Sequence, residues 1–306
     1  MSGMIYSIIG TGAIGGYFGG RLAIAGHEVH FLLHKDYQFV KENGLDVRSV
    51  KGDFRIFPCL CYDSTKDMPK SDVVIVALKT VNNHLLKTLL PPLLKEDTIV
   101  LLIENGIGVE QDVQEMFPQV SLAAGLAFIG AGKTKPGQID HQYNGSLTIA
   151  SYSVKNRALL ETLVQDLRES GVETLEAPYH LARWRKAVWN MPFNGMTVVC
   201  HAQTDELVAC EATRKLIREQ MSEVISAAKA LGVEGLDEDF ADKMIQMTIE
   251  MPPYSPSMRL DYDYHRPMEI QYLYSRPIEM ARKAGFKMTR LEMLERQLIL
   301  LDERGY

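Results

Sequence analysis

An α/β chain is predicted, a doubly wound sheet followed by an all-helical domain, and three observations predict it. Short apolar runs alternate with helix-like segments through the first half, a glycine-rich turn joins the first run to the first helix, and the texture becomes helical after about Pro178. The 306 residues suffice for two domains with their own cores. With 46% hydrophobic and 24% charged residues, an ordinary soluble globular protein is expected. The net charge of −6 argues against a nucleic-acid partner held by electrostatics.

The first element is the β-type run Ile5–Ile9, which enters Gly10-Thr11-Gly12-Ala13-Ile14-Gly15. A helix follows over Tyr17–Ala25, closed by Gly26, and a second strand spans Glu28–Leu33. In that setting the G-x-G-x-x-G pattern is a Rossmann-type dinucleotide signature. Gly10 permits the tight turn, Gly12 lets the backbone approach a diphosphate, and Gly15 lets the helix pack on the strand. Thr11, Ala13 and Ile14 complete the turn, and the free N–H groups of the helix start hold the anion.

Val73–Leu78 and Thr98–Ile103 are near-continuous apolar runs, as strands covered on both faces require. Val81–Leu94 and Gly108–Phe117 read as crossover helices. Ser121–Ile129 and Gly145–Ser151 read as antiparallel strands around a turn at Lys135-Pro136-Gly137. A helix at Asn156–Ser170 and a strand at Val172–Leu175 complete a dinucleotide-binding domain over residues 1–176. Residues 177–306 form the helical substrate and catalytic domain, with helices at Leu181–Asn190, Thr213–Leu231, Asp237–Met251, Pro267–Ala284 and Thr289–Leu301. Gly232 and Gly285 suit helix C-termini, Pro252-Pro253 cannot continue a helix, and Thr289 with Glu292 fits a capping box.

The end of the second strand, Leu33-His34-Lys35-Asp36, meets the adenosine ribose in such folds. An acid there reads a free 2′-hydroxyl, whereas a cation accommodates a 2′-phosphate. His34 at the critical position, with Lys35 beside it, favours NADP. A solvated Lys35 with Asp36 on the ribose is the NAD alternative. Lys79 and Glu104-Asn105-Gly106-Ile107-Gly108 follow the next two strands, at the carboxyl ends where ligands bind.

In the helical domain, Lys186, Asn190 and Asn194 are four apart, which places one ammonium and two carboxamides on one helix face. Pro192 can kink that helix and displace Asn194. A solvated polar stripe is the alternative, but Trp184, Val188, Trp189, Met191 and Phe193 make apolar company for it. A second cluster runs from Pro252 to Asp261 through Ser257, then Arg266-Pro267-Met268-Glu269-Ile270. A proline-stiffened loop presenting Ser257, followed by a helix carrying Glu269, suits a substrate pocket and equally suits an ordinary connection.

These residues together resemble the ketopantoate reductase (2-dehydropantoate 2-reductase) family over nearly the whole chain. The resemblance is carried by Gly10–Gly16, Gly26-His27-Glu28-Val29, Ala77-Leu78-Lys79, Asn105-Gly106, Trp184-Arg185-Lys186 with Asn190 and Asn194, Ser257-Met258 and Arg266-Pro267-Met268-Glu269-Ile270. It implies NADPH-dependent reduction of the 2-oxo acid 2-dehydropantoate to (R)-pantoate, on the route to pantothenate and coenzyme A, in a site between the domains. By the family's roles Lys186 is the general acid and Glu269 hydrogen-bonds the reacting oxygen. Asn105, Asn190, Asn194 and Ser257 position the substrate, Lys79 and Asn105 contact the cofactor, and Asp261 is mainly structural. A lysine of ordinary pKa, about 10.4, is charged at neutral pH without tuning.

Two positions depart from the family. His34 stands where an arginine usually grips the 2′-phosphate, so Lys35 is expected to substitute for it. Glu104 stands where a glutamine is common. Both leave room for a different 2-oxo acid, and a non-catalytic NADP-binding sensor is the reading of another class. Cys59, Cys61, Cys200 and Cys210 show no metal-ligand spacing, and with no apolar leader or membrane-length run a cytoplasmic, metal-free enzyme is expected. Tyr262, Tyr264, Tyr272 and Tyr274 are candidates either for a homodimer face or for the core.

Overall fold

The computed structural model describes residues 3–304, which fall into two compact units. The first runs through Glu104 and resumes over Glu110–Tyr179. The second comprises Asn105–Val109 and the chain from His180 onward.

The first unit is built on a ten-stranded sheet. Its strands are β1 (Ile5–Ile9), β2 (Glu28–Leu32), β3 (Leu45–Ser49), β4 (Phe54–Ile56), β5 (Cys61–Tyr62), β6 (Val73–Val76), β7 (Ile99–Leu102), β8 (Ser121–Lys135), β9 (Gln138–Ser151) and β10 (Thr174–Glu176). The order β5-β2-β1-β6-β7-β8 is parallel throughout. That is the nucleotide-fold order in which the chain reverses direction across the sheet between its first and fourth members. Every residue of β6 and β7 is buried, as their unbroken apolar runs require.

Beyond β8 the sheet is mixed. The expected strands Ser121–Ile129 and Gly145–Ser151 are the inner parts of a longer antiparallel hairpin, β8 and β9, turning at Pro136 and Gly137. β9 then pairs in parallel with β3 and β10, and β3 pairs antiparallel with β4. The short strands β3, β4 and β5 were not expected: at two to five residues each they are too brief for a periodicity to declare itself.

The unit's helices are α1 (Ala13–Ile24), α2 (Tyr37–Asn43), α3 (Leu86–Leu89), α4 (Val109–Met116) and α5 (Arg157–Glu169). Gly26 ends α1 in a left-handed conformation, with His27 N–H bonded back to Leu22 O. The expected crossover helix over Val81–Leu94 is instead a 3₁₀ segment (Thr80–Leu85), the single turn α3 and a second 3₁₀ turn (Pro91–Leu93). Pro91-Pro92 supplies no N–H to extend α3, so the segment breaks into short turns.

The second unit is helical: α6 (Tyr179–Val199), α7 (Thr204–Ala209), α8 (Glu211–Ala230), α9 (Glu238–Glu250), α10 (Ser257–Asp263), α11 (Arg276–Lys283) and α12 (Thr289–Glu303). Gly232 and Gly285 close α8 and α11 with positive φ. The expected helix Pro267–Ala284 begins only at Ile270 and then runs on to Lys283, with Gln271–Ser275 wound as a π-turn leading into α11. The expected capping box at Thr289 does not form. Met288 occupies the cap position and Glu292 is buried against Arg282, a tertiary ion pair that takes the carboxylate away from the backbone. Trp184, Val188 and Phe193 of α6 form the centre of this unit's core with Val224, Leu273 and Leu291.

Candidate active site

In the first unit the glycine turn follows β1 at the point where strand order reverses. A Cβ on Gly10 would lie 2.7 Å from Ala77 O, and φ is +91°, so glycine is needed twice over. A Cβ on Gly15 would lie 2.4 Å from Gly10 O and 2.9 Å from Ile8 Cγ2, so its absence is what lets α1 pack on β1. Gly12 differs. It is the cap of α1, φ is −85°, and a Cβ there meets no protein atom within 4 Å. The turn is therefore closed behind and open in front, with the first-turn N–H groups of Ala13, Ile14 and Gly15 left without helical acceptors. A cradle of that shape fits the diphosphate of a dinucleotide.

The Thr11 hydroxyl donates to Leu32 O, tying the turn to β2 rather than offering itself to a ligand. His34 and Lys35 are exposed. Asp36 is not: it is 9% exposed, and its carboxylate accepts from Lys133 Nζ at 2.5 Å and from Gly137 N at 3.2 Å. Lys133 also donates to Thr11 O at 3.1 Å. The acid that reads a ribose hydroxyl in the NAD alternative is thus already engaged. Lys79 is half-buried at the start of the 3₁₀ segment after β6. Glu104 is buried and accepts from Asn83 Nδ2 at 3.0 Å.

In the second unit α6 runs unbroken through Pro192, so the spacing of Lys186, Asn190 and Asn194 keeps them along one face. The proline forfeits one helical hydrogen bond, and the burial of nearly every side chain from Ala187 to Val198 holds the helix across it. Gly195 has no side chain, and the Tyr274 hydroxyl enters that space to donate to Met191 O at 2.5 Å. A Cβ on Gly195 would stand 2.7 Å from that hydroxyl. Tyr274 is therefore a core residue, whereas Tyr264 is exposed over Arg266.

One cavity of this unit is lined by Gly106, Arg183, Lys186, Asn190, Tyr272 and Leu273, among others. Asn190 Nδ2 lies 3.4 Å from Asn105 Oδ1, so two of the expected substrate-positioning amides meet there. Asn105 is brought in by its neighbours. Gly106 has φ of +103° and a Cβ on it would sit 2.5 Å from Tyr272 Cβ. Ile107 N donates to Tyr272 O at 2.9 Å, and Arg276 Nη1 donates to Gly108 O at 2.7 Å. The segment is thus stitched to the π-turn, a local irregularity of the kind that recurs at functional sites.

The ammonium of Lys186 is withdrawn from solvent, and its pKa is lowered to about 7. Burial is the main cause, the nearby Arg183 charge adds to it, and Glu269 opposes both. The expectation of an untuned lysine is corrected: desolvation is a tertiary property that residue spacing does not reveal. Glu269 is 3% exposed and lies just before the helical run rather than on it, its carbonyl accepting from Leu273 N.

Asn194 is also buried, but its amide is engaged. Nδ2 donates to Asn190 O at 3.0 Å, and Oδ1 accepts from Met258 N at 3.1 Å. Ser257, expected in a loop, is instead the half-buried first residue of α10. Asp261 is buried and ion-paired with Arg266 at 3.1 Å.

Residues 6–153 match the family described as "Ketopantoate reductase PanE/ApbA", and residues 179–301 match "Ketopantoate reductase PanE/ApbA C terminal". A 2-dehydropantoate 2-reductase from Nostoc sp. is 42% identical over 98% of this chain and 96% of its own length. The chain belongs to the ketopantoate reductase family. The crystal structure of 2-dehydropantoate 2-reductase from Geobacter metallireducens GS-15 superposes with a TM-score of 0.93 at 33% identity, covering 98% of this chain and 99% of that one. The ternary structure of D-mandelate dehydrogenase with NADH and anilino(oxo)acetate shares the fold, with a TM-score of 0.88 at 24% identity over 98% and 99% of the two chains.

Three residues of this ketopantoate reductase-family chain escaped the sequence reading. Arg183 lines the cavity three positions before Lys186, a spacing that places it on the same face. Tyr272 also lines the cavity, whereas the sequence offers it only a core or dimer-surface role. Lys133 carried no signal, since its role depends on β8 reaching the glycine turn.

Proposed function

We propose that this chain reduces 2-dehydropantoate to (R)-pantoate with NADPH, and that Lys186 is the acid. What carries the reading is the Lys186 ammonium, tuned near neutrality in a cavity shared with Asn190 and near the buried Glu269. A reduced nicotinamide, when held by the glycine turn, would supply hydride for C2 of the 2-oxo acid. Charge then develops on the carbonyl oxygen, and a cation within hydrogen-bond reach stabilises it and donates a proton. A donor of pKa about 7 is matched to that task at neutral pH. Glu269 hydrogen-bonds the reacting oxygen once it is a hydroxyl and keeps a counter-charge beside the ammonium.

Asn105 and Asn190 orient the substrate from one wall, and Ser257 contacts it from the start of α10. Asn194 acts on the substrate by holding that helix start in place. In the first unit Gly10, Thr11, Gly12, Ala13, Ile14 and Gly15 form the diphosphate cradle, with Lys79 as a further cofactor contact, and Asn105 of the second unit is another. His34 and Lys35 take the 2′-phosphate, a reading supported by their exposure and by the engagement of Asp36 with Lys133. The decisive experiment is steady-state turnover of a panel of 2-oxo acids with NADPH and with NADH. Ketopantoate with NADPH is expected to give the highest kcat/KM. A rate no better than that of unrelated oxo acids would refute the substrate, and parity of the two nicotinamides would refute the cofactor preference.

A further inference from the structure

We infer that Lys133 sets the cofactor preference of this chain: its ammonium cancels the Asp36 carboxylate where a 2′-phosphate would otherwise meet a like charge. Resting on the proposed use of NADPH, this assigns selectivity to a residue outside the β1–α1–β2 segment that carries the glycine turn.

The two side chains meet where the adenosine end of a dinucleotide is read. In sheets of this order the glycine turn and the end of the second strand flank the adenosine ribose. Lys133 Nζ touches both walls. It donates to Thr11 O of the turn at 3.1 Å and pairs with Asp36 Oδ2, four residues beyond β2, at 2.5 Å. The lysine arrives on β8 near the tip of the β8–β9 hairpin, and Gly137 N at the same tip gives Asp36 Oδ2 a second donor at 3.2 Å.

The orientation of Asp36 shows how firmly the hairpin holds it. Asp36 is the N-cap of α2, a position from which an aspartate ordinarily accepts an N–H of the first helical turn. Here its side chain makes no such bond, and the carboxylate turns to the hairpin instead. The side chains of Lys133 and Asp36 are 28% and 10% exposed, so the pair is screened by salt less than an open surface bridge.

An acid at the end of the second strand, left to itself, accepts a ribose hydroxyl and repels a 2′-phosphate. Lys133 removes that repulsion, and the exposed Lys35 is then free to act as the cation of the strand end. A bridge that merely stapled the hairpin to the turn would support every dinucleotide alike. Cancellation of the Asp36 charge acts on the 2′-phosphate alone.

The test uses the full-length chain and two fragments without nicotinamide, 2′-phospho-ADP-ribose and ADP-ribose, titrated by calorimetry. Wild type is expected to prefer the 2′-phosphorylated fragment. Lys133→Met should weaken that fragment by about 30-fold, the scale of one uncompensated like charge near a surface, and leave ADP-ribose within about threefold. Adding Asp36→Asn to Lys133→Met should return the preference to within about threefold of wild type, since the charge that Lys133 cancels is gone. Lys133→Arg keeps the ion pair and should keep the preference. A Lys133→Met protein that retains the wild-type preference, loses both fragments alike, or is not rescued by Asp36→Asn overturns the inference. Should that variant fail to fold, Lys133→Gln retains a donor for Thr11 O without the charge and carries the same comparison. Wild type binding the two fragments equally would instead refute the proposed preference for NADPH.

Discussion

The side-chain oxygen of Asn194 accepts the backbone N–H of Met258 at 3.1 Å, joining the middle of α6 to the first turn of α10. That N–H is one of the groups a helix start leaves without an internal partner. The bond therefore fixes where Ser257, the adjacent residue, stands. Asn194→Ala removes the acceptor in a buried setting and is expected to cost about 1–3 kcal/mol. Thermal melting would show the loss as a lowered Tm, accompanied by a raised KM for the oxo acid. A variant with the wild-type Tm would contradict this role.

Lys186→Ala should lower kcat/KM by about 10²–10⁴-fold, the usual worth of a positioned proton donor. NADPH oxidation measured with ketopantoate checks it, and undiminished turnover would remove Lys186 from the chemistry.

The lowered pKa of Lys186 has a sign that can be measured. The acid works only when protonated, so wild-type kcat/KM should be flat below pH about 7 and fall tenfold per unit above it. Because the folded value lies below that of the unfolded chain, the unfolded chain holds more protons above pH 7. This group's contribution to stability consequently rises with pH from about 7 toward 10.4. Lys186→Arg, which stays charged, should abolish the limb. A limb that persists in that variant belongs to another residue.

The glycine turn offers a contrast within four residues. Gly15→Ala drives a Cβ toward Gly10 O and Ile8, and should lower the Tm. Gly12→Ala meets open space at an ordinary φ, so the Tm should hold while the KM for NADPH rises. A Gly12→Ala enzyme with an unchanged KM would show that the diphosphate does not pass there.

Lys35→Ala is expected to raise the KM for NADPH more than that for NADH. Lys133→Met, which releases the Asp36 carboxylate, should shift the ratio toward NADH. Equal effects on both cofactors would take Lys35 out of the phosphate site.

Much of this was legible in the residues because the constraints were local. The glycine turn, the apolar runs of β6 and β7, and the glycine ends of α1, α8 and α11 each declare themselves within a dozen positions. What stayed hidden depends on contacts distant in sequence. Lys133 meets Asp36 and Thr11 only because β8 carries it there. Glu292 deserts the helix cap because Arg282 draws it inward. The tuning of Lys186 arises from burial among residues up to 83 positions away, as far as Glu269. Short strands such as β5, two residues long, are defined by their partners rather than by their own composition.

The stretch Asn105–Val109 belongs to the helical unit though the chain reaches it from β7, and Ile107 within it is buried among that unit's apolar side chains. The polypeptide thus passes from one unit to the other three times. A gene fragment encoding only His180 to the carboxyl terminus would lack both a core methyl-bearing side chain and the Asn105 amide that meets Asn190. The two halves are consequently poor candidates for shuffling as independent cassettes, and enzymes of this build should diversify by point substitution rather than by exchange of modules.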